Sequence, residues 1–227
     1  MATGHTLKAF DDDLDRLRAL ISEMGGLAEH AIRESMRCLQ QRDVEGAAKI
    51  VENDAKLDAL EIETERRAVQ LIALRAPMAG DLRDVVAALK ISGVVERIGD
   101  YAKNIAKRVP SLETMGQIEP LSLLPEMARI ATEMVHDVLN AFVERDAEAA
   151  LRVMQRDNAV DDFYDSIFRT LLTHMMEDPQ NIKQSAHLLF IAKNLERAGD
   201  HATNIAEMVY YAATGRHMTE AQTGKKP

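Results

Sequence analysis

The chain contains no tryptophan, one cysteine, Cys38, and aromatic side chains at only 4% of its 227 positions. A single cysteine excludes an intrachain disulfide, and a lone thiol in an apolar helical setting reads as a packed hydrophobe rather than a nucleophile. No apolar segment approaches the roughly 20 residues that a membrane-spanning helix needs. The N-terminal MATGHTLKAFDDD has no basic stretch leading into an apolar run, so a cytoplasmic location is expected. No Lys/Arg-rich run occurs and the formal charge is −9, which gives DNA and RNA nothing to bind. The chain also lacks a Gly-rich phosphate loop, GxSxG, HExxH and any Cys/His dyad. Its seven histidines (His5, His30, His136, His174, His187, His201 and His217) include no i, i+4 pair, and each reads as a surface or half-buried residue. Nothing here is built for catalysis, and a non-enzyme is expected. Glycine and proline are sparse and strand signals are absent, while Ala, Leu, Met, Arg and Glu abound, which is the composition of a helical bundle.

What is there is a duplication. Glu96 to Ala106 reads ERIGDYAKNIA and Glu196 to Ala206 reads ERAGDHATNIA, identical at eight of eleven positions. A repeat of nearly half the chain length divides it into two similar halves. The apolar pattern and its breakers predict six helices in two sets of three. The first set runs from about Leu7 to Gln40, from Val44 to about Leu74 after an Arg42-Asp43 turn, and from near Asp81 to about Arg108 after Pro77. The second runs from about Leu123 to Glu144, on to about Met176 after the matching Arg145-Asp146 turn, and to about Thr214 after Pro179. The fold class is all-α: residues 1–110 form one three-helix unit, 111–122 a linker marked by Pro110, Gly116, Pro120 and Pro125, and 123–214 the second unit. Residues 215–227 are expected to be a disordered tail. In each third helix an apolar seam recurs at three- and four-residue steps: Ala88, Ile91, Val95, Ile98, Ala102, Ile105 and Val109, then Leu188, Ile191, Leu195, Ala198, Ala202, Ile205 and Val209.

The repeated block places Glu and Asp four residues apart, stacking two carboxylates on one helix face. At about 100° per residue, Glu96 and Asp100 lie roughly 130° and 170° from the centre of the seam, pointing away from the core. The middle helices carry a second matched pair, Asp54/Asp58 and Asp157/Asp161. Antiparallel packing would gather Asp54, Asp58, Glu96 and Asp100 in one groove, and Asp157, Asp161, Glu196 and Asp200 in another. Four anions so placed demand cations. Oxygen-only donors select hard ions such as magnesium, calcium, manganese or oxidised iron, whereas a structural zinc would call for Cys or His that are not placed there. Solvation of an exposed acidic face accounts for any one pair, but does not require matched pairs in both halves. Gly99 and Gly199, between the acids, imply close approach by an ion or a neighbouring helix. Arg97 and Arg197 read as surface salt-bridge partners, or as anion contacts.

RAPMAGDLRDVVAALKISGVVERIGDYAKNIA, with its degenerate second copy ending LERAGDHATNIA, resembles the PhoU family, and the similarity spans essentially the whole chain. The resemblance implies two three-helix bundles in a row, a cytoplasmic protein and a homodimer. It implies E(D)xxxD motifs holding multinuclear metal clusters at Asp54, Asp58, Glu96, Asp100, Asp157, Asp161, Glu196 and Asp200; iron, manganese, magnesium, calcium and zinc are the candidate ions, and the sequence does not choose among them. It further implies an adaptor that links a phosphate transporter's ATPase subunit to a sensor histidine kinase. That adaptor would negatively regulate the phosphate-starvation response and modulate phosphate uptake.

Two rivals remain: a carboxylate-bridged metal oxidase or iron-storage bundle, which needs a Glu-x-x-His pattern the acids lack, and a plain helical scaffold with no metal role. The halves differ at one place. AGDLRD, around Asp81, Arg83 and Asp84, gives way to QNIKQS, with Asn181, Lys183 and Gln184 opposite. A partner contact or an extra ligand is expected at the Arg83 end.

Overall fold

A computed structural model describes residues 2–113 and 122–218, with side chains from Phe10 onward. Among these residues there is no strand. The first helix, α1 (Ala2–Gln41), turns Leu14, Leu17, Ile21, Met24, Ala28 and Ile32 into the core at three- and four-residue steps, and all six are buried. It ends at Arg42, whose φ of 57° puts it in the left-handed conformation that closes helices. Asp43 then caps α2 (Val44–Asn53) by accepting from Gly46 N at 2.7 Å. The second repeat copies this turn: α6 (Leu124–Glu144) ends at Arg145, φ 56°, and Asp146 Oδ1 accepts from Ala149 N at 2.9 Å to start α7 (Ala147–Glu177).

The middle helix of the first repeat is not continuous as expected. It breaks at Asp54 into α2 and α3 (Ala55–Arg75), with Leu57 N bonded to Asp54 O at 2.8 Å in a tightened turn, whereas α7 runs unbroken. Ala76 and Ala79, φ 45° and 49°, flank Pro77 and re-aim the chain into α4 (Gly80–Ala106). A short helix α5 (Val109–Leu112) then carries Pro110 in its first turn, so the expected linker 111–122 begins helical; residues 114–121 lie outside the described residues. In the second repeat a 3-10 turn over Pro179–Asn181 leads into α8 (Ile182–Thr214). The expected tail is described only to 218.

The third helices are the centre of the molecule. All fourteen seam residues are 0–1% exposed, and α4 packs against α1, α3 and α8 while α8 packs against α4, α6 and α7. The halves therefore share one contiguous core, with α1 also against α6. At the α4–α8 contact, Tyr101 and His201, which occupy the same repeat position, meet with ring centroids 5.3 Å apart and Tyr101 Oη 3.1 Å from His201 Nε2. Equivalent residues touching each other mark an approximate twofold axis between the repeats. Cys38 is fully buried, and burial raises its thiol pKa, as befits a packed side chain.

Candidate functional site

The acidic grooves sit on either side of that axis, and the glycines explain their depth. A Cβ on Gly99 would fall 2.2 Å from Leu57 Cδ2, and one on Gly199 would fall 3.3 Å from Val160 Cγ1. Leu57 lies between Asp54 and Asp58, and Val160 between Asp157 and Asp161, so each glycine seats the acidic turn of the middle helix beside the Glu-Asp turn of the third. The close approach of a neighbouring helix expected at these glycines is present in both halves.

In the first groove Glu96 feels its neighbours directly. Burial raises its pKa most, followed by repulsion from Asp100, Glu61, Asp58 and Asp54. Glu61, also raised by burial and then by Glu65 and Asp58, is a fifth acid at this site. Repulsion is relieved by Lys103, whose ammonium donates to Asp100 Oδ1 at 2.5 Å and also binds Asp54; both contacts hold its pKa above the usual lysine range. In the second groove Lys193 donates to Glu196 Oε1 at 2.6 Å and lies 5.1 Å over the Tyr164 ring. Glu196 Oε2 is buried with no hydrogen-bond partner among the described residues.

Several of the carboxylates are deeper than an exposed acidic face would leave them. Asp157 is 4% exposed, and the side chains of Asp54 and Glu196 are 9% and 13% exposed. Asp100 and Asp200 are half-buried, and Asp58 and Asp161 exposed. Helices packed on three sides leave less open face than a single seam predicts. Arg97 and Arg197 are exposed, and neither makes an ion pair among the described residues, unlike the salt bridges expected; their charges instead bear on Tyr101 and His201. Of the described histidines, His30, His136 and His217 are exposed and His174, His187 and His201 half-buried.

Do these residues suit a metal? Among the described residues no three carboxylate, imidazole or thiolate groups already converge closely enough to hold an ion. The donor chemistry nevertheless fits hard cations: oxygen ligands from two helices, a buried carboxylate oxygen lacking a donor, and in each groove an ammonium already occupying the cation's electrostatic place. Sequence reading missed Glu61, Lys103 and Lys193. Their repeat counterparts are Tyr164, Thr203 and Gly93, so a search for matched positions passes over them.

The PhoU domain model matches residues 21–109 and again 124–209. The chain is 59% identical over 222 residues to the phosphate-specific transport system accessory protein PhoU homolog of Zymomonas mobilis, covering 98% of this chain and 94% of that protein. It is 46% identical to the homolog of Caulobacter vibrioides, over 96% and 95% of the two chains. Among solved structures, PhoU from Pseudomonas aeruginosa superposes with a TM-score of 0.87 at 34% identity, covering 91% of this chain and all of that one. The phosphate transport system regulatory protein PhoU from Streptococcus pneumoniae gives 0.86 at 28% identity, covering 92% and 99%. With the family model matched in both halves and relatives aligned from end to end, this chain belongs to the PhoU family.

Proposed function

We propose that this protein is a non-enzymatic cytoplasmic accessory of phosphate transport that holds the phosphate-starvation response in check when phosphate is plentiful. It acts as a homodimer that links the transporter's ATPase subunit to a sensor histidine kinase. The observation that supports this reading is the end-to-end similarity to phosphate-specific transport system accessory proteins, with both repeats present. No helix among the described residues is long and apolar enough to cross a membrane, so membrane association would come through partners.

The acidic grooves bind metal in this reading. Asp54, Asp58, Glu96 and Asp100 hold one ion set and Asp157, Asp161, Glu196 and Asp200 the other, displacing the Lys103 and Lys193 ammoniums. Neutralising the acids stabilises the native state by mass action and presents a rigid charged surface to partners. An oxidase or iron store is disfavoured by the donors themselves: position i+3 from the eight groove acids is Leu57, Glu61, Gly99, Lys103, Val160, Tyr164, Gly199 or Thr203, where a Glu-x-x-His site needs histidine.

Two measurements test the proposal. Deleting the gene in its host and following a phosphate-starvation reporter in phosphate-rich medium should give constitutive expression, reversed by the wild-type gene; continued repression in the deletion strain would refute the regulatory role. Elemental analysis of untagged protein, beside an Asp54/Asp58/Glu96/Asp100→Ala variant, should find an ion that the variant loses. A wild type that carries no metal, and whose Tm does not respond to added ions, would leave the grooves as solvated faces.

A further inference from the structure

The AGDLRD stretch found only in the first repeat folds into a corner where α1, α4 and the α6–α7 turn meet. Asp84, 2% exposed, accepts from Arg18 Nη2 at 3.2 Å through Oδ2, and the same oxygen lies 3.3 Å from Arg145 Nε. Its other oxygen, Oδ1, is buried and meets no donor among the described residues. A buried acceptor left without a donor is costly, and such groups in native proteins are usually satisfied by something. One turn earlier, Gly80 opens the 27-residue α4. A Cβ there would lie 3.6 Å from Arg145 Nη2 and 3.9 Å from Arg83 Nη2, so two guanidinium tips converge over a position with no side chain. No side chain caps this helix end; Asp81 N donates to Met78 O at 3.1 Å, and the first-turn Asp81 carboxylate adds a negative charge that Arg18, Arg83 and Arg145 together outweigh. Arg83 makes no ion pair among the described residues. Its Nε donates to the Ala212 carbonyl at 3.4 Å and its guanidinium packs beside Gly215, which fixes the fork where it is.

We propose that this corner binds one small tetrahedral oxyanion that carries a hydroxyl, with hydrogen phosphate as the fitting species. Arg83, Arg145 and the N-terminus of α4 take its charged oxygens. Asp84 Oδ1 accepts from its hydroxyl, which satisfies the orphaned acceptor while Oδ2 keeps Arg145 aimed. Sulfate has the same shape and no hydroxyl at neutral pH, so it leaves Oδ1 unsatisfied and sets two acceptors against each other. The second repeat, with Asn181, Lys183 and Gln184 at the matching positions, lacks the set, giving one site per chain. The site stands on this geometry; only its use as a phosphate readout rests on the regulatory function proposed above.

The test is calorimetric titration of the full chain with sodium phosphate and separately with sodium sulfate, at neutral pH and constant ionic strength set with chloride. Thermal unfolding is followed in parallel. Phosphate should bind saturably and raise Tm, with sulfate at least about tenfold weaker, as expected for loss of one charge-assisted hydrogen bond. Arg83→Gln should weaken phosphate about tenfold to a hundredfold, with Tm in phosphate-free buffer lowered by no more than a few degrees, the worth of its hydrogen bond to the Ala212 carbonyl. Gly80→Ala is the second variant: its methyl meets the guanidiniums at ordinary contact distance, so the fold is kept while the seat is filled, and the saturable response should vanish. No saturable binding of phosphate, equal affinity for sulfate, or a wild-type response in either variant would each overturn the proposal. Failure here alongside an intact deletion phenotype would leave the regulatory reading standing; binding without the phenotype would do the reverse.

Discussion

Gly46 and Cys38 make a contact whose strength the duplication itself calibrates. A Cβ at Gly46 would lie 2.8 Å from Cys38 Sγ and 2.3 Å from Asp43 Oδ2, which Arg37 Nη2 holds at 3.1 Å. In the second repeat the same two positions are Ala149 and Ala141, and the helix still starts on an aspartate cap. Gly46→Ala therefore drives a methyl into a fully buried thiol and makes the capping carboxylate turn. Overpacking of this kind costs about 1–3 kcal/mol, and alanine returns up to about 1 kcal/mol of helix propensity. The net expectation is a loss of about 1–2 kcal/mol, or a Tm lower by about 2–8 °C in a chain of this size. Cys38→Ala alone should cost about 1 kcal/mol, the loss of roughly one buried methylene-sized group. The double variant restores the second repeat's pair, so its cost should fall short of the sum by about 1–2 kcal/mol. Urea unfolding of the four proteins by far-UV circular dichroism, with a common slope, reads these differences. A Gly46→Ala protein as stable as wild type, or strictly additive variants, would refute the reasoning.

Other expectations concern charge. Lys103→Met removes the internal cation of the first groove, so manganese affinity by calorimetry should rise about tenfold, the worth of a displaced charge-assisted contact; an unchanged affinity would mean that lysine and metal do not compete. Asp84→Ala strands the guanidiniums of Arg18 and Arg145 and should cost about 2–3 kcal/mol in urea unfolding, less than a fully buried pair because both arginines keep some solvent. A loss below about 0.5 kcal/mol, the level of an ordinary surface change, would show that the network carries no stability. Burial, then Arg108 and Lys183, lower the His187 pKa from its ordinary 6.5. The unfolded chain therefore takes up the proton first, and stability falls as pH drops below about 6.5. Replacing His187 with Gln should flatten that acid limb of the Tm profile, and an identical limb would place its origin elsewhere.

Periodicity made the seams of α4 and α8 legible, because a helix buried along one stripe must write that stripe at three- and four-residue steps. The Arg-Asp turns were legible because a left-handed closing residue followed by a capping aspartate is local chemistry. The acid pairs were found by their repetition, and that same filter hid the lysines between them, since Lys103 and Lys193 sit at different repeat positions. The break at Asp54 was not legible: Asp157 is the same residue in an unbroken helix. Nor was the burial of Asp84, since Arg18 and Arg145 are 66 and 61 positions away in the chain and meet it only through tertiary packing.

The contact between Tyr101 and His201 bears on ancestry. Residues at one repeat position that touch across an approximate twofold axis would, in a chain half as long, be a residue touching its own copy in another molecule. The apolar surface that α4 turns toward α8 could be covered in such a chain only by self-association, at a concentration-dependent cost. Fusing the copies makes that encounter intramolecular, so the partnership no longer depends on how much protein the cell makes. It also frees the two copies to diverge, which is how one half could acquire an arginine corner that a symmetric pair would have had to carry twice.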